Sequence, residues 1–194
     1  GARVITVSDS SGTVIDEDGF TPEKLAVLMD VKNHHYGRVS DYAQRTGTRF
    51  EAGVRPWHVP VDVALPCATQ NELDADDAAT LIRNGVGCVA EGANMPSTIE
   101  AAKAFETAGV LYAPGKASNA GGVATSGLEM SQNAMRLGWT RDEVDRRLLE
   151  IMRGIHAACV RHGQRGDGSV SYIDGANIAG FVKVADAMLA QGIT

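Results

Sequence analysis

The feature that most constrains this chain is the alternation of short apolar runs with helical patterns over residues 1–114. Candidate strands, rich in β-branched and other apolar residues, cover 3–9, 61–66, 87–92 and 109–114, with a weaker candidate at 48–52. Strands that alternate with helices are typical of parallel βαβ units. We therefore predict an α/β fold in which residues 1–114 form a largely parallel sheet flanked by helices.

Capping residues mark where the helices between these strands begin. Thr21 followed by Pro22 predicts a helix start, because proline is well tolerated at the first helical position. Ser97 and Glu100 form a capping-box pattern, which predicts that Ser97 caps the helix before the last strand.

Helical patterns alone follow residue 114. Thr140 and Glu143 form a second capping box at the start of a long amphipathic stretch, and residues 177–192 form a further amphipathic helix. We predict an α/β domain over residues 1–138 and a C-terminal helical section over residues 139–194 that packs on it.

Charge and hydropathy exclude two kinds of partner. The net charge is −6 and the sequence pI is about 5.3 without any basic block, which argues against a nucleic-acid partner. The apolar runs are short, whereas a helix that spans a bilayer needs about 20 apolar residues, so no membrane partner is expected. No signal-peptide pattern is visible, so we expect a cytoplasmic protein. Because a strand pattern begins almost at once and without Met, we also expect that an upstream part is missing.

Polar and small residues follow four of the predicted strands, at 8–12, 66–74, 90–96 and 113–122. Ligands of open parallel sheets bind outside the carboxyl ends of the strands. Each segment alone could be an ordinary turn. Four of them on one edge predict one continuous ligand-binding crevice.

The first of these segments, SDSSG, is typical of the end of the second strand in a dinucleotide-binding fold. Asp9 could hold a ribose hydroxyl, and Ser10 and Ser11 could donate hydrogen bonds to a 2′-phosphate. Lys32 and Arg38 could supply positive charge there. The alternative is an Asx-type turn with solvated basic residues. In the dinucleotide interpretation, the first strand and its glycine-rich phosphate loop lie upstream, so the sheet lacks one central strand.

The segment SNAGGVATSG, residues 118–127, combines three glycines with a helical pattern. Glycine inside a helix costs roughly 1 kcal/mol relative to alanine, so packing alone would not select this composition. At helical spacing Asn119, Val123 and Ser126 share one face, which suits a flat amide-bearing ring and a polar substrate. Close helix–helix packing through small residues is the alternative.

Other catalytic patterns are missing from the sequence. The five histidines and three cysteines lack metal-binding spacing, and we find no Ser/His/Asp order, no acid pair with evident acid–base spacing and no thiol beside a base. We therefore predict no metal site and no catalytic residue in this chain.

Four long motifs give the chain a family resemblance: LPCATQNEL, AEGANMPST, APGKASNAGGVATSGLEMSQN and GANIAGFVKVADAM. They resemble the C-terminal, cofactor-binding half of the hexameric, NADP-using glutamate dehydrogenases, and the resemblance runs over essentially the whole chain. It implies a Rossmann-like fold, NADP as cofactor and a homohexamer. It also implies the reversible oxidative deamination of L-glutamate to 2-oxoglutarate and ammonia.

The resemblance assigns roles to individual residues. Asn119 would meet the nicotinamide, and Val123 and Ser126 would contact the substrate. The other cofactor-binding residues would be Asp9, Ser10, Ser11, Lys32, Ala68, Thr69, Gln70, Glu91, Gly92, Ala93 and Asn94. The family's catalytic Lys and Asp and its phosphate-binding glycines belong to a part that this chain lacks, so we expect the chain alone to be inactive.

Two alternatives stay open at this point. A related dehydrogenase for branched-chain or aromatic amino acids would share most of these motifs, because the specificity pocket lies mostly elsewhere. A nucleotide-binding or assembly module without turnover is a second possibility.

Overall fold

The computed structural model describes residues 1–192, which form two compact units. Unit 1 comprises Gly1–Val59, and unit 2 begins at Pro60. The boundary predicted between residues 138 and 139 lies inside unit 2 and stays a prediction. Within residues 1–192, no helix combines the length and the hydropathy needed to cross a membrane.

Unit 1 contains a three-stranded sheet and two helices. Its elements are β1 (Thr6–Asp9), β2 (Gly12–Ile15), α1 (Pro22–Met29), a π-helical turn (Asp30–His34), α2 (Val39–Thr46), β3 (Arg49–Ala52) and a 3-10 turn (Pro56–His58). The strand order is β1-β2-β3, and both pairs are antiparallel. The start of α1 is confirmed: the Thr21 hydroxyl accepts a hydrogen bond from Lys24 N at 3.3 Å, and Pro22 is the first helical residue.

The antiparallel sheet corrects the prediction of parallel strands for this part of the chain. Only Ser10 and Ser11 separate β1 from β2. Two residues can close a hairpin, whereas a parallel pair needs a crossover of about a dozen residues or more. Gly12 pairs with Asp9 across the turn at a φ of 141°, and a Cβ added there would collide with the carbonyl oxygen of Glu51. The hairpin therefore depends on glycine at this position.

The core of unit 1 lies between the sheet and its helices. All four residues of β2 are buried, as its central place in the sheet requires. Val14 of β2 packs with Leu28 of α1 and with Val39 and Tyr42 of α2. Because Val39 is both a core residue and the first residue of α2, the core fixes where that helix begins.

Unit 2 contains the parallel sheet that the sequence predicts. Its elements are β4 (Val63–Ala64), α3 (Ala75–Arg83), β5 (Cys88–Ala90), α4 (Ile99–Thr107), β6 (Leu111–Ala113), α5 (Gly115–Ser118), α6 (Gly121–Met135), α7 (Arg141–Gly163) and α8 (Tyr172–Gln191). The strand order is β4-β5-β6 with parallel pairing throughout, and α3 and α4 form the crossovers. The predicted α/β fold with a helical C-terminal section is confirmed here.

The start of α4 differs from the prediction by one residue. Thr98 caps the helix, and its hydroxyl accepts a hydrogen bond from Ala101 N at 3.3 Å. Ser97 is buried instead, and its backbone N–H donates to Glu91. The predicted capping box of Ser97 and Glu100 is wrong, because the neighbouring loop already engages the backbone of Ser97.

The long helices α7 and α8 are joined by residues 164–171 and cross at close range. Thr140 caps α7 as predicted, with its hydroxyl accepting from Glu143 N at 3.3 Å. In α8, a Cβ added at Gly175 would collide with the carbonyl group of Cys159 in α7. Glycine is therefore required where the two backbones meet.

We expect a Gly175→Ala variant to lower the free energy of unfolding by about 1–3 kcal/mol, because the added methyl group overpacks the helix crossing. Gly180→Ala, on the same helix, is the matched control. No described atom lies within 4 Å of a Cβ added there, so it should instead stabilise by about 0.5–1 kcal/mol. Urea unfolding of both variants measures the difference. If Gly175→Ala were as stable as wild type, this helix crossing would be wrong.

Candidate functional site

The chain segments that follow the three parallel strands lie side by side. We call them the edge segments: residues 66–74 after β4, 91–98 after β5 and 114–120 after β6. Backbone hydrogen bonds join the first two, from Gly92 N to Pro66 O at 2.9 Å and from Leu73 N to Pro96 O at 3.0 Å. Three of the four polar strand ends predicted from the sequence therefore meet at one edge of the sheet. The fourth, residues 8–12, belongs to unit 1.

The first two edge segments pack closely against each other and contain two residues in left-handed backbone conformations. Asn71 and Met95 both adopt left-handed conformations, with φ of 56° and 52°, and Asn71 N donates to Met95 O at 3.0 Å. A left-handed residue other than glycine costs on the order of 1–3 kcal/mol and persists only where the surroundings hold it. A Cβ added at Gly92 would lie 2.5 Å from Cys67 Sγ. The surrounding contacts thus determine the path of these segments.

Glu91 lies at the centre of this arrangement and is only 4% exposed. Its Oε1 accepts hydrogen bonds from the Tyr112 hydroxyl at 2.5 Å and from Ser97 N at 3.1 Å, and its Oε2 accepts from Gly115 N at 2.6 Å. Its backbone carbonyl accepts from the Ser118 hydroxyl at 2.5 Å. Burial, together with the hydrogen bond to Glu91, raises the pKa of Tyr112, which therefore stays protonated and donates. Glu91 thus ties the second edge segment to the third.

Asn119 joins the same two segments through its side chain. Its Nδ2 donates to Ala93 O at 3.1 Å and to Asn94 Oδ1 at 2.7 Å. The structure therefore brings together three residues that the sequence analysis assigned to the cofactor. Asn94 is exposed, so one of these amides faces solvent at the edge of the sheet.

Ala68, Thr69 and Gln70 are all exposed in the first edge segment. Ala68 N donates to the Glu72 carboxylate at 2.8 Å, which closes the turn. The side chains of Thr69 and Gln70 place a hydroxyl and an amide at this end of the sheet, and both groups donate and accept hydrogen bonds.

The predicted continuous helical face of Asn119, Val123 and Ser126 is wrong in one respect. α5 ends at Ser118 with Asn119 as its C-cap, and α6 begins only at Gly121, so the helix is interrupted at residues 119–120. The break coincides with the residue whose side chain donates to Ala93 and Asn94. Val123 and Ser126 do share a face of α6, and both are exposed.

The glycines of α6 differ in whether they pack against another helix of the part of the chain that the structure describes. A Cβ added at Gly121 would lie 4.0 Å from Leu148 and Met152 of α7. Within residues 1–192, no atom lies within 4 Å of a Cβ added at Gly122 or Gly127. These two positions therefore leave bare backbone facing open space.

In unit 1, the side chains of Asp9, Ser11 and Lys32 are in contact. Asp9 Oδ1 accepts from Ser11 N at 2.9 Å and from the Ser11 hydroxyl at 2.6 Å, and Oδ2 accepts from Lys32 Nζ at 2.8 Å and from Val39 N at 3.0 Å. Ser10 is exposed at the tip of the hairpin. The turn has the Asx geometry of the alternative interpretation, but Lys32 is ion-paired rather than solvated.

The pKa of Asp9 is well below its ordinary value of 3.8. Burial by itself raises this pKa, but hydrogen bonds from Lys32, Ser11 and Val39 N outweigh that effect. Asp9 is therefore an anion at neutral pH. The Lys32 side chain is 36% exposed, so it can reach solvent while it pairs with Asp9.

Four residues of this arrangement were given no role at the site by the sequence: Ser97, Tyr112, Gly115 and Ser118. The signal available was a tyrosine in an apolar strand pattern, because a buried hydroxyl requires a partner. Glu91, an acid at the end of the adjacent predicted strand, was the natural candidate for that partner.

A parallel sheet with joined polar segments at its carboxyl edge defines the α/β class, whose open sheets generally bind ligands at that edge. The chain belongs to the Glutamate/Leucine/Phenylalanine/Valine dehydrogenase family, whose model matches residues 1–192. Within the part of the chain that the structure describes, no three His, Cys, Asp or Glu residues are grouped as they would be around a metal ion.

Glutamate dehydrogenases are among the relatives of this chain, as the sequence motifs predict. The chain is 67% identical over 193 residues to the NADP-specific glutamate dehydrogenase of Escherichia coli (strain K12), a match that covers 100% of this chain and 43% of that protein. The corresponding enzyme of Salmonella typhi is 66% identical over 194 residues, with the same coverage. The crystal structure of Plasmodium falciparum glutamate dehydrogenase matches with a TM-score of 0.94 and 46% identity, over 99% of this chain and 42% of that one. The chain thus spans less than half the length of these relatives.

The lowered pKa of Asp9 makes unit 1 sensitive to acid. Its contribution to stability is complete above the unfolded-state pKa of about 3.8 and is lost as the pH falls towards the lower folded-state value. We expect wild type to lose more of its melting temperature between pH 7 and pH 3 than an Asp9→Asn variant does. Thermal melts at both pH values measure this, with Asp18→Asn as the exposed control. Equal losses in wild type and Asp9→Asn would contradict the role assigned to this carboxylate.

Proposed function

We propose that this chain is the cofactor-binding part of an NADP-dependent glutamate dehydrogenase. The complete enzyme would convert L-glutamate, water and NADP⁺ to 2-oxoglutarate, ammonia and NADPH, and would also run the reverse reaction. The observation that carries the proposal is the contact of Asn119 with Ala93 and Asn94 at the carboxyl edge of the parallel sheet.

The groups at this edge fit a dinucleotide. A nicotinamide carries an amide that needs both donors and acceptors, and the edge supplies them from Thr69, Gln70 and Asn94. The bare backbone at Gly122 and Gly127 leaves room for a ring to approach the helix. NADP⁺ would supply the hydride acceptor, while the residues of this chain bind and orient it. Beside these three, we propose Ala68, Gly92, Ala93 and Asn119 as cofactor-binding residues, and Glu91 as a member of the same site.

Unit 1 offers a separate group of side chains for the adenosine end of the cofactor. We assign Asp9 to a ribose hydroxyl, and Ser10, Ser11 and Lys32 to the 2′-phosphate. The pairing of Lys32 with Asp9 does not exclude this, because an ammonium group has three N–H donors and Asp9 engages one. The charge of Lys32 would favour NADP over NAD, since hydrogen bonds between charged partners contribute about 1.5–3 kcal/mol.

We assign Val123 and Ser126 to contacts with the substrate. Both are exposed on the same face of α6, and Val123 is 72% exposed. The Ser126 hydroxyl donates to Gly122 O at 3.3 Å, so its oxygen keeps lone pairs for a donor such as a substrate ammonium group. Val123 would cover the reacting atoms from water.

Glutamate is favoured over other amino acids by the similarity to NADP-specific glutamate dehydrogenases, at 67% identity for the Escherichia coli enzyme. We propose that the complete protein is a cytoplasmic homohexamer, as the resemblance implies. We also propose that this chain alone does not turn over substrate, because it spans only 43% of the Escherichia coli enzyme and the resemblance assigns the catalytic Lys and Asp to another part of the complete enzyme.

An assay of the complete polypeptide tests the reaction. Activity should be measured with glutamate, leucine, valine and phenylalanine, each with NADP⁺ and with NAD⁺. Glutamate with NADP⁺ should give the highest kcat/KM. A higher value for leucine, valine or phenylalanine would assign the chain to a related dehydrogenase, and binding of NADP⁺ without turnover would indicate a nucleotide-binding module.

In the complete enzyme, we expect Lys32→Ala to weaken NADP⁺ binding by about tenfold, because one charge-assisted hydrogen bond to the 2′-phosphate is lost. NAD⁺ binding should hardly change. Lys24→Ala is the matched control, since Lys24 also forms an ion pair in unit 1, with Asp16 at 2.7 Å. Fluorescence titration gives both dissociation constants. An equal loss for both cofactors would rule out the assignment of Lys32.

Two further substitutions separate the cofactor side from the substrate side. Ser126→Val should raise KM for glutamate and leave NADP⁺ binding almost unchanged, whereas Asn119→Ala should weaken mainly the use of the cofactor. Ser131→Val is the control for α6, because Ser131 is exposed and its hydroxyl donates to Gly127 O in the same way. Steady-state kinetics with each substrate varied measures the effects. If Ser126→Val and Asn119→Ala lowered only the melting temperature, this site would be wrong.

A further inference from the structure

We propose that Glu91 is a positioning residue that holds Asn119 in place for the nicotinamide and does not itself contact the cofactor. The inference rests on the proposed function of the same edge. It departs from the resemblance, which places Glu91 among the residues that line the cofactor.

Burial keeps the Glu91 carboxylate out of reach of a ligand. The residue is 4% exposed, and both carboxylate oxygens already accept hydrogen bonds from Ser97, Tyr112 and Gly115. A buried carboxylate requires such partners, because its desolvation is otherwise very costly. The hydrogen bonds of the Glu91 carboxylate are therefore made within the protein.

The hydrogen bonds of Glu91 lead to Asn119 from two directions. In the third edge segment, Gly115 N donates to Glu91 Oε2 at 2.6 Å, and Gly115 O in turn accepts from Asn119 N at 2.9 Å. In the second segment, the backbone of Glu91 accepts from Ser118, the residue before Asn119, at 2.5 Å. The Asn119 side chain then donates to Ala93 O, two residues beyond Glu91. Moving Glu91 would displace Asn119 and its partner together.

The substitution Glu91→Gln tests this with almost no change of shape. A carboxamide has one acceptor oxygen and one donor NH₂ group. In one orientation its NH₂ group faces Gly115 N–H, and in the other it faces Ser97 N–H. Two donors cannot pair, so either orientation disrupts one backbone anchor. Tyr112→Phe is the matched control, because it removes the third donor and leaves both backbone anchors intact.

Binding and kinetics of the complete enzyme give the first readout. Glu91→Gln should raise the dissociation constant for NADPH by about tenfold, because a displaced Asn119 loses about one hydrogen bond to the nicotinamide, and Tyr112→Phe should change it much less. Ser171→Ala is a stability control elsewhere in unit 2, because buried Ser171 donates to Glu106 at 2.5 Å. It should lower the melting temperature and leave NADPH binding unchanged. A Glu91→Gln variant that behaves like Ser171→Ala would overturn the proposal.

The double variant with Asn119→Ala tests whether Glu91 acts through Asn119. If it does, Glu91→Gln should weaken NADPH binding far less in the Asn119→Ala background than in wild type, because coupled residues have non-additive effects. Additive losses would overturn the proposal.

Hydrogen exchange without cofactor keeps this test separate from the proposed function. Glu91→Gln should speed amide exchange in residues 91–98 and 114–120, and Ser171→Ala should not. If wild type bound no NADPH while exchange changed as expected, the proposed function would fail and the positioning by Glu91 would stand. Unchanged exchange in both segments would overturn the positioning role.

Discussion

A carboxylate can be buried only if hydrogen bonds replace its lost water, and in unit 2 this constraint acts at Glu91. The replacing donors come from Ser97, Tyr112 and Gly115, which lie on different elements of the unit. Because these donors must all reach the Glu91 carboxylate, the end of β6, the start of α5 and the loop before α4 meet at that side chain. The position of Asn119 at the edge of the sheet follows from that arrangement, and so does the gathering of the residues assigned to the cofactor.

In unit 1, the partly buried carboxylate of Asp9 is likewise stabilised by hydrogen bonds, but its ion-pair partner stays partly exposed. Its partners are the hairpin turn at Ser11, the first backbone N–H of α2 at Val39 and the ammonium group of Lys32. The hydrogen bonds outweigh burial and lower its pKa, so the carboxylate stays charged at neutral pH. Its ion-pair partner Lys32 remains partly exposed, and a ligand can share that cation. The two acids thus have different roles. Glu91 anchors neighbouring backbone segments, whereas Asp9 pairs with a lysine, Lys32, that solvent can still reach.

Structural features that depend on neighbouring residues were predicted correctly. The strands of unit 2, the start of α1 at Thr21 and the start of α7 at Thr140 follow from hydrophobic periodicity and capping chemistry, which act over a few residues. The failures have identifiable causes. The hairpin of unit 1 was predicted as a single strand before a helix, because residues 8–12 were interpreted as the polar end of that strand, whereas β2 begins within them, at Gly12. The cap of α4 moved to Thr98 because a neighbouring loop engages Ser97.

The sequence by itself determined the family, the α/β fold and the polar segments from which a site is built, because long motifs, periodicity and composition are properties of neighbouring residues. Only the tertiary structure decided how those residues divide their roles. Asn119, Glu91 and Asn94 all look like exposed polar residues in a motif, yet Glu91 is a buried anchor and Asn119 is the C-cap that follows α5. The physical reason is that burial and hydrogen-bond pairing depend on segments distant in the chain, and a local pattern does not contain them.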